Sequence, residues 1–238
     1  MKHRKLWKGI ASLAMLLCLA NSNVAIADDV PAMHFGADWR PMDTLTCSYK
    51  AMDALIAQNF IEARRTRDSA WGFNEQSWVL VRCITQNQGA YIEVLAASRS
   101  SQEAERLRNE IRTKVFDASR PKAPAPDFFH GEPIGPTPPP PRVRNYPPLH
   151  WGFDTRPKSL QGCVSAAKLA MRTYGLQSTP SGDSVVWGQS STVTVLVACT
   201  PISQGVSILV AATSNDGPTA ERFRNDIRKL IFDSVSFD

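Results

Sequence analysis

The chain of 238 residues carries 27 Lys and Arg against 22 Asp and Glu, a formal charge of +5 with a sequence pI near 9.1. Lys2, Arg4, Lys5 and Lys8 lie in the first 27 residues, which contain no acid, so the remainder holds 23 basic residues against 22 acidic ones. A charge of about +1 supplies no global field for polyanions or anionic lipid, and nucleic acid is excluded as an expected partner.

Residues 1–27 have the three parts of a secretory signal: the basic start, an apolar run from Ile10 to Ala20, and Ala25-Ile26-Ala27 before Asp28. Cleavage is expected after Ala27, which places the mature chain in the periplasm or outside the cell. A lipoprotein reading would use Cys18, but bulky Leu17 stands where that signal needs a small residue. The apolar run is too short for a stable span, and no later stretch approaches ~20 apolar residues, so no transmembrane segment is expected after cleavage.

Residues 34–117 return at 150–233 at a constant offset of 116 with no gap. HFGADWRP reappears as HWGFDTRP, and AERLRNEIRTKVFD as AERFRNDIRKLIFD. The predicted organisation is therefore a signal peptide (1–27), repeat domain 1 (28–117), a Pro-rich linker (118–149) and repeat domain 2 (150–238).

Each copy opens on an alternating strand in which Phe35, Ala37 and Trp39 point one way and His34, Gly36, Asp38 and Arg40 the other, until Pro41 stops it. A first helix begins near Thr44 and shows an apolar stripe at Cys47, Ala51, Ala54 and Leu55, echoed by Cys163, Ala167, Ala170 and Met171. A weaker strand surrounds Trp71 and Trp187. The next strand puts Val79, Val81 and Cys83 on one face, and Gln88-Gly89 turns it into a strand carrying Ile92, Val94 and Ala96. A capping box, Ser100-x-x-Glu103, opens a closing helix with the stripe Ala104, Leu107, Ile111 and Val115, repeated as Ala220, Phe223, Ile227 and Ile231. The predicted fold class is α+β: two tandem β-α-β-β-β-α units, each a mostly antiparallel four-stranded sheet with both helices on one face.

Cleavage after Ala27 leaves Cys47, Cys83, Cys163 and Cys199, an even set suited to an oxidising compartment. Cys47 maps on Cys163 and Cys83 on Cys199, so a unit that once folded alone would close its own bridge, giving Cys47–Cys83 and Cys163–Cys199. In each, a cysteine on a buried helix stripe faces one on a buried strand face. A zinc site would show closer Cys pairs and His at ligand spacing, and no metal or other cofactor is expected.

Between the copies, residues 118–149 hold 11 of the 17 prolines, which favours an extended, semi-rigid spacer over a ligand for aromatic grooves. The segment Phe128-Phe129-His130 is too apolar for a pure spacer. With a Cys on the first helix, a Val-x-Cys strand, a Gly hairpin and a closing helix, each copy resembles small secreted bacterial α+β domains catalogued only as being of unknown function. The resemblance implies this fold and no activity.

The strand motif His-x-Gly-x-Asp-x-Arg is the strongest polar signal. Its expected place is the sheet face away from the helices, where Arg40 or Arg156 would meet an anionic group and His34 or His150 would act as a pH-sensitive donor beside Asp38 and Asp154. The plainer expectation is an exposed strand whose charges pair with cross-strand neighbours such as Arg82 or Glu93. His34 and Asp38 stand ~13 Å apart along a strand, too far to chelate one ion. The polar face of the closing helix, kept in both copies with Glu105, Arg108 and Arg112, reads as self-satisfied, or as carrying Arg106 and Arg112, or their counterparts, to the other copy or a partner.

The outward hairpin positions Trp78, Leu80, Tyr91 and Leu95, with Leu196, Ala198, Leu209 and Ala211 in the second copy, are too apolar for water; either the two sheets pack together or they bind a partner. No GxSxG, HExxH, P-loop or Rossmann turn is present. The expected function is a non-catalytic exported tandem-domain binding protein, inhibitor or immunity-like, whose partner is an envelope or extracellular protein or a small ligand. The alternative is a periplasmic hydrolase using His and Asp of the strand. A third reading gives binding to the first copy alone, with the second as a structural prop.

Overall fold

The computed structural model describes residues 30–60, 62–117 and 147–234. The signal segment, including Cys18, and most of the Pro-rich stretch lie outside the described residues.

The first copy runs β1 (Ala32–Arg40), α1 (Thr44–Ala57), β2 (Arg64–Arg65), β3 (Ser69–Phe73), β4 (Ser77–Gln86), β5 (Gly89–Ser98) and α2 (Ser101–Phe116). The second repeats it as β6 (Leu149–Arg156), α3 (Leu160–Thr173), β7 (Gln177–Ser181), β8 (Val185–Gln189), β9 (Val193–Ile202), β10 (Gly205–Ser214) and α4 (Gly217–Asp233). Each copy forms its own antiparallel sheet, ordered β1-β5-β4-β3-β2 and β6-β10-β9-β8-β7. The sheets have five strands, one more than expected. The extra edge strands are a two-residue Arg pair and the polar Gln177–Ser181, which includes Pro180. An edge strand needs no alternating apolar face and tolerates Pro, so neither leaves a hydrophobic pattern.

Helix starts follow the capping chemistry. Asp43, Ser100, Ser159 and Asp216 are the N-caps of α1, α2, α3 and α4, each accepting from a backbone N–H of the first turn. The helix stripes then close two equivalent cores: Cys47, Ala51, Leu55, Leu107 and Ile111 over Val79, Val81, Ile92 and Val94, and Cys163, Ala167, Met171, Ile227 and Ile231 over Val195, Val197, Ile208 and Val210. Cys47 is bonded to Cys83 and Cys163 to Cys199, with Cα separations of 6.0 and 6.2 Å, so each sulfur bridge ties the first helix to a central strand as the repeat predicts.

The opposite faces of the two sheets pack against each other. Met33, Leu80, Leu95 and Ala97 of the first copy share one cluster with Leu149, Leu196, Leu209 and Ala211 of the second, flanked by Phe35, Trp71, Trp78, Trp151 and Trp187. Trp71 meets Trp151 edge-on at 5.6 Å. A fully buried Leu contributes about 1.5–3 kcal/mol, and Leu80, Leu95, Leu196 and Leu209 are all at most 1% exposed. The layer is thus a third core, and the molecule is a four-layer stack of helices, sheet, sheet, helices. Of the two expectations for these apolar positions, the sheets take the first.

Candidate functional site

The His-x-Gly-x-Asp-x-Arg motif lies on edge strands β1 and β6, and it faces the helices. This corrects the expected orientation. His34 Nε2 is 2.9 Å from Ser101 Oγ at the start of α2, a Cβ on Gly36 would stand 3.0 Å from Arg108 Cδ, and Asp38 accepts from Arg112 Nη2 at 3.3 Å. The other face of β1, carrying Phe35, turns toward the second sheet. Alternation had the two faces right, and the aromatic face was mistaken for the helix side.

The closing helix presents Arg108, Arg112 and Phe116 at four-residue steps, which places them in one row above the strand. Gly36 leaves room for the Arg108 stem to lie flat. Asp38 holds Arg40 at 2.9 Å as well as Arg112, and both guanidiniums sit over the Phe116 ring, 4.2 and 4.9 Å from its centre. The second copy repeats this: Asp154 meets Arg156 at 3.1 Å and Arg228 at 3.6 Å, with both cations over Phe232 at 4.4 and 4.6 Å. Arg112 and Arg228 therefore cross to a strand of their own copy.

The same residues close the sheet edge. Asp38 Oδ1 accepts from the Trp39 backbone N–H at 2.8 Å and Arg40 donates to the Trp39 carbonyl at 2.9 Å, so both outward backbone groups of Trp39 are occupied. Asp154 does the same for the Thr155 N–H. A capped edge resists pairing with another chain.

Burial pushes the His34 imidazole below its ordinary value, with Glu105 opposing and Arg108 assisting; His150 is lowered in the same way among Glu221 and Arg224. Both rings are thereby biased to the neutral form. Copy two has Gly217 where copy one has Ser101, so only His34 has a hydroxyl at this position.

Trp78 and Tyr91 lie on the inner sheet face. Trp78 packs on Phe73 at 4.8 Å between ring centres and borders the intersheet cluster. Tyr91 is half-buried, and desolvation, then Glu93 and Asp38, raise its phenol. Arg82 and Glu93, expected as surface partners of the strand motif, are instead buried on this inner face and bonded to each other at 2.8 Å. Copy two supplies their other partners: Arg82 donates to Ser207 Oγ at 2.7 Å and lies over Phe153 at 4.4 Å, and Glu93 accepts from Thr200 Oγ1 at 2.6 Å. Their pairing was readable as a cross-strand charge pair, but their burial by the second sheet left no local signal.

Among the described residues, no group of three or more His, Cys, Asp or Glu could hold a metal ion, and no helix is long and apolar enough to cross a membrane. One open depression is lined by Pro41, Met42, Asp43, Arg67, Gln86 and Gly89, another by Leu160, Gln161, Val164, Lys168, Gly182 and Asp183. Neither includes any residue of the strand motif.

No family model matches the chain, and no curated protein matches it. Among solved structures, DynU16 from the dynemicin biosynthetic locus is similar over 84% of this chain and 95% of its own, at 8% identity and a TM-score of 0.28. The di-domain ARO/CYC StfQ from the steffimycin biosynthetic pathway matches over 84% and 96%, at 7% identity and a TM-score of 0.25. The di-domain ARO/CYC BexL from the BE-7585A pathway matches over 85% and 92%, at 6% identity and a TM-score of 0.24. Likeness at this level carries no argument about activity.

Proposed function

We propose that this is an exported, non-catalytic binding protein in which two disulfide-stapled copies form one rigid body that engages an envelope or extracellular protein. The domains take the bounds 28–117 and 150–238, joined by the 118–149 spacer and preceded by a cleavable signal. One observation carries the reading: in both copies the Asp and Arg of the strand motif are neutralised by each other and by the closing helix, outside either depression, so the strongest polar signal of the chain serves the architecture. With the inner sheet faces covered, binding falls to the outer helices, where Leu45, Ile56 and Leu169 are 46%, 53% and 53% exposed. Two bridges per chain support an oxidising compartment.

The test is affinity capture of the tagged mature protein from its own envelope, compared with Ile56→Glu and Leu169→Glu. A specific partner lost in either variant at unchanged thermal midpoint supports the proposal. Equal recovery with all three proteins, or none with the parent, counts against it.

A second reading, a hydrolase, rests on the His34–Ser101 contact of 2.9 Å. A neutral imidazole could take the proton of an attacking hydroxyl, with Glu105 nearby favouring the imidazolium so formed. Fluorophosphonate labelling of Ser101 that disappears in His34→Gln would establish it. An unlabelled Ser101 removes it.

A further inference from the structure

The offset of 116 pairs Arg82 with Ala198, Glu93 with Leu209, Ile84 with Thr200 and Tyr91 with Ser207. The sheets meet as two copies of one face, which is the geometry of a homodimer interface folded into a single chain. Such an interface offers every contact twice. On one side Arg82 and Glu93 meet Ser207 and Thr200, a polar quartet in which each residue is at most 4% exposed and each makes a hydrogen bond to another member. The positions related by the repeat hold Ala198 and Leu209, both buried in the intersheet cluster, on one sheet and Tyr91 and Ile84, both partly buried, on the other, an uncharged and largely apolar quartet.

We infer that this division into one polar and one apolar quartet is a recognition code, which makes the inner face of copy one a docking surface for copy two and rejects its pairing with itself. Two copy-one faces brought together in the same geometry would set Arg82 against Tyr91 and Glu93 against Ile84 twice, giving Arg82 a ring phenol in place of the Ser207 hydroxyl and leaving Glu93 against an alkyl chain without the hydroxyl donor it has here. Two copy-two faces would set Ser207 against Ala198 and Thr200 against Leu209 twice, burying hydroxyls without acceptors. Only the mixed pair satisfies both quartets. The ion pair itself lies within copy one, so its discrimination comes from what faces it, an attractive element in one pairing and a repulsive one in the other. The partner is thus the second copy within this chain.

The full chain, carrying a protease site within residues 118–149, is folded with its bridges formed, cut, taken apart in denaturant with the bridges intact, and returned to buffer. Native mass spectrometry then counts mixed and like pairs. Mixed pairs are expected in about tenfold excess or more over either like pair. In Arg82→Ala/Glu93→Leu, which gives copy one the residues of copy two, the apolar quartet is complete in the copy-one like pair, and that species is expected to become dominant. A statistical mixture from the parent, halves that stay apart, or an unchanged preference in the variant overturns the inference. Should the cut pieces fail to refold, the uncut chain decides: Glu93→Leu alone, which strands a buried guanidinium, must lower the urea midpoint further than the joint change, and the opposite order overturns it.

Discussion

Asp38 on β1 accepts from Arg112 on α2 at 3.3 Å, and Asp154 and Arg228 repeat the contact at 3.6 Å 116 residues later. Each carboxylate also bonds the outward N–H of the next residue, so one side chain fastens the edge strand to the closing helix and caps the sheet. Both partners are more than a third exposed, which keeps the ion pair itself weak. Asp38→Ala is expected to cost about 1 kcal/mol, chiefly through the lost backbone acceptor, and Asp38→Ala/Asp154→Ala about twice that, since the two sites share no contact. Urea unfolding measures the sum, and hydrogen exchange at the Trp39 amide should quicken in both variants, that at the Thr155 amide only in the double one. An unchanged Trp39 amide would show that the cap is not formed in solution.

The two bridges act on units with modest cores. Each closes 36 residues, for which loop entropy gives roughly 3–4 kcal/mol. Cys47→Ala/Cys83→Ala should lose about this amount, and so should the equivalent pair in copy two. The halves share the intersheet layer, so unfolding of either uncovers Leu80, Leu95, Leu196 and Leu209 together. One cooperative transition is therefore expected in both variants. Two separated transitions in calorimetry would mean that the layer does not couple the copies.

Much of this architecture was legible because the chain states it twice. The repeat selected the Cys pairing, and helix periodicity located Cys47 opposite Cys83. What escaped was the third dimension. Alternation along β1 separates His34, Gly36, Asp38 and Arg40 from Phe35, Ala37 and Trp39 but does not say which set lies beneath α2, and the second sheet offers Phe35 an equally apolar home while Trp39 stays exposed. A usable signal did exist: Arg108, Arg112 and Phe116 recur as Arg224, Arg228 and Phe232, a row of cations and a ring suited to the small and acidic strand positions Gly36 and Asp38. β2 and β7 lacked any apolar pattern.

Acid should weaken the protein in two stages. The His34 and His150 imidazoles are lowered by burial, so between their native values and the unfolded value near 6.5 the unfolded chain binds more protons. Stability is then full above that window and falls as the pH drops through it. Asp43, held down by the Thr46 backbone N–H, Glu103, held down by its bond to Arg106, and Asp216, held down by the Thr219 N–H, contribute above their unfolded values near 4 and lose that contribution below. Urea midpoints from pH 8 to pH 3 should show both stages, and His34→Gln/His150→Gln should flatten only the upper one. A double variant that keeps the upper stage would place its origin elsewhere.

Gly89 and Gly205 occupy the same place in the two hairpins for a shared reason and one difference. A Cβ on Gly89 would stand 2.3 Å from the Arg40 carbonyl oxygen, and one on Gly205 2.1 Å from that of Arg156, so the end of each edge strand lies where a side chain would be. In copy two the glycine also has a φ of +127°, whereas in copy one the positive φ falls on Gln88 at +66°. Close approach therefore requires glycine in both copies, and backbone conformation requires it only in the second. Gly89→Ala should cost about 1–3 kcal/mol by displacing the Arg40 end of β1, and Gly205→Ala about 1 kcal/mol more. Urea unfolding of the two single variants tests the difference. Equal losses would mean that the hairpin of copy two relaxes its backbone freely, and negligible losses in both would mean that the edge strands swing clear without breaking the Asp38 and Asp154 contacts.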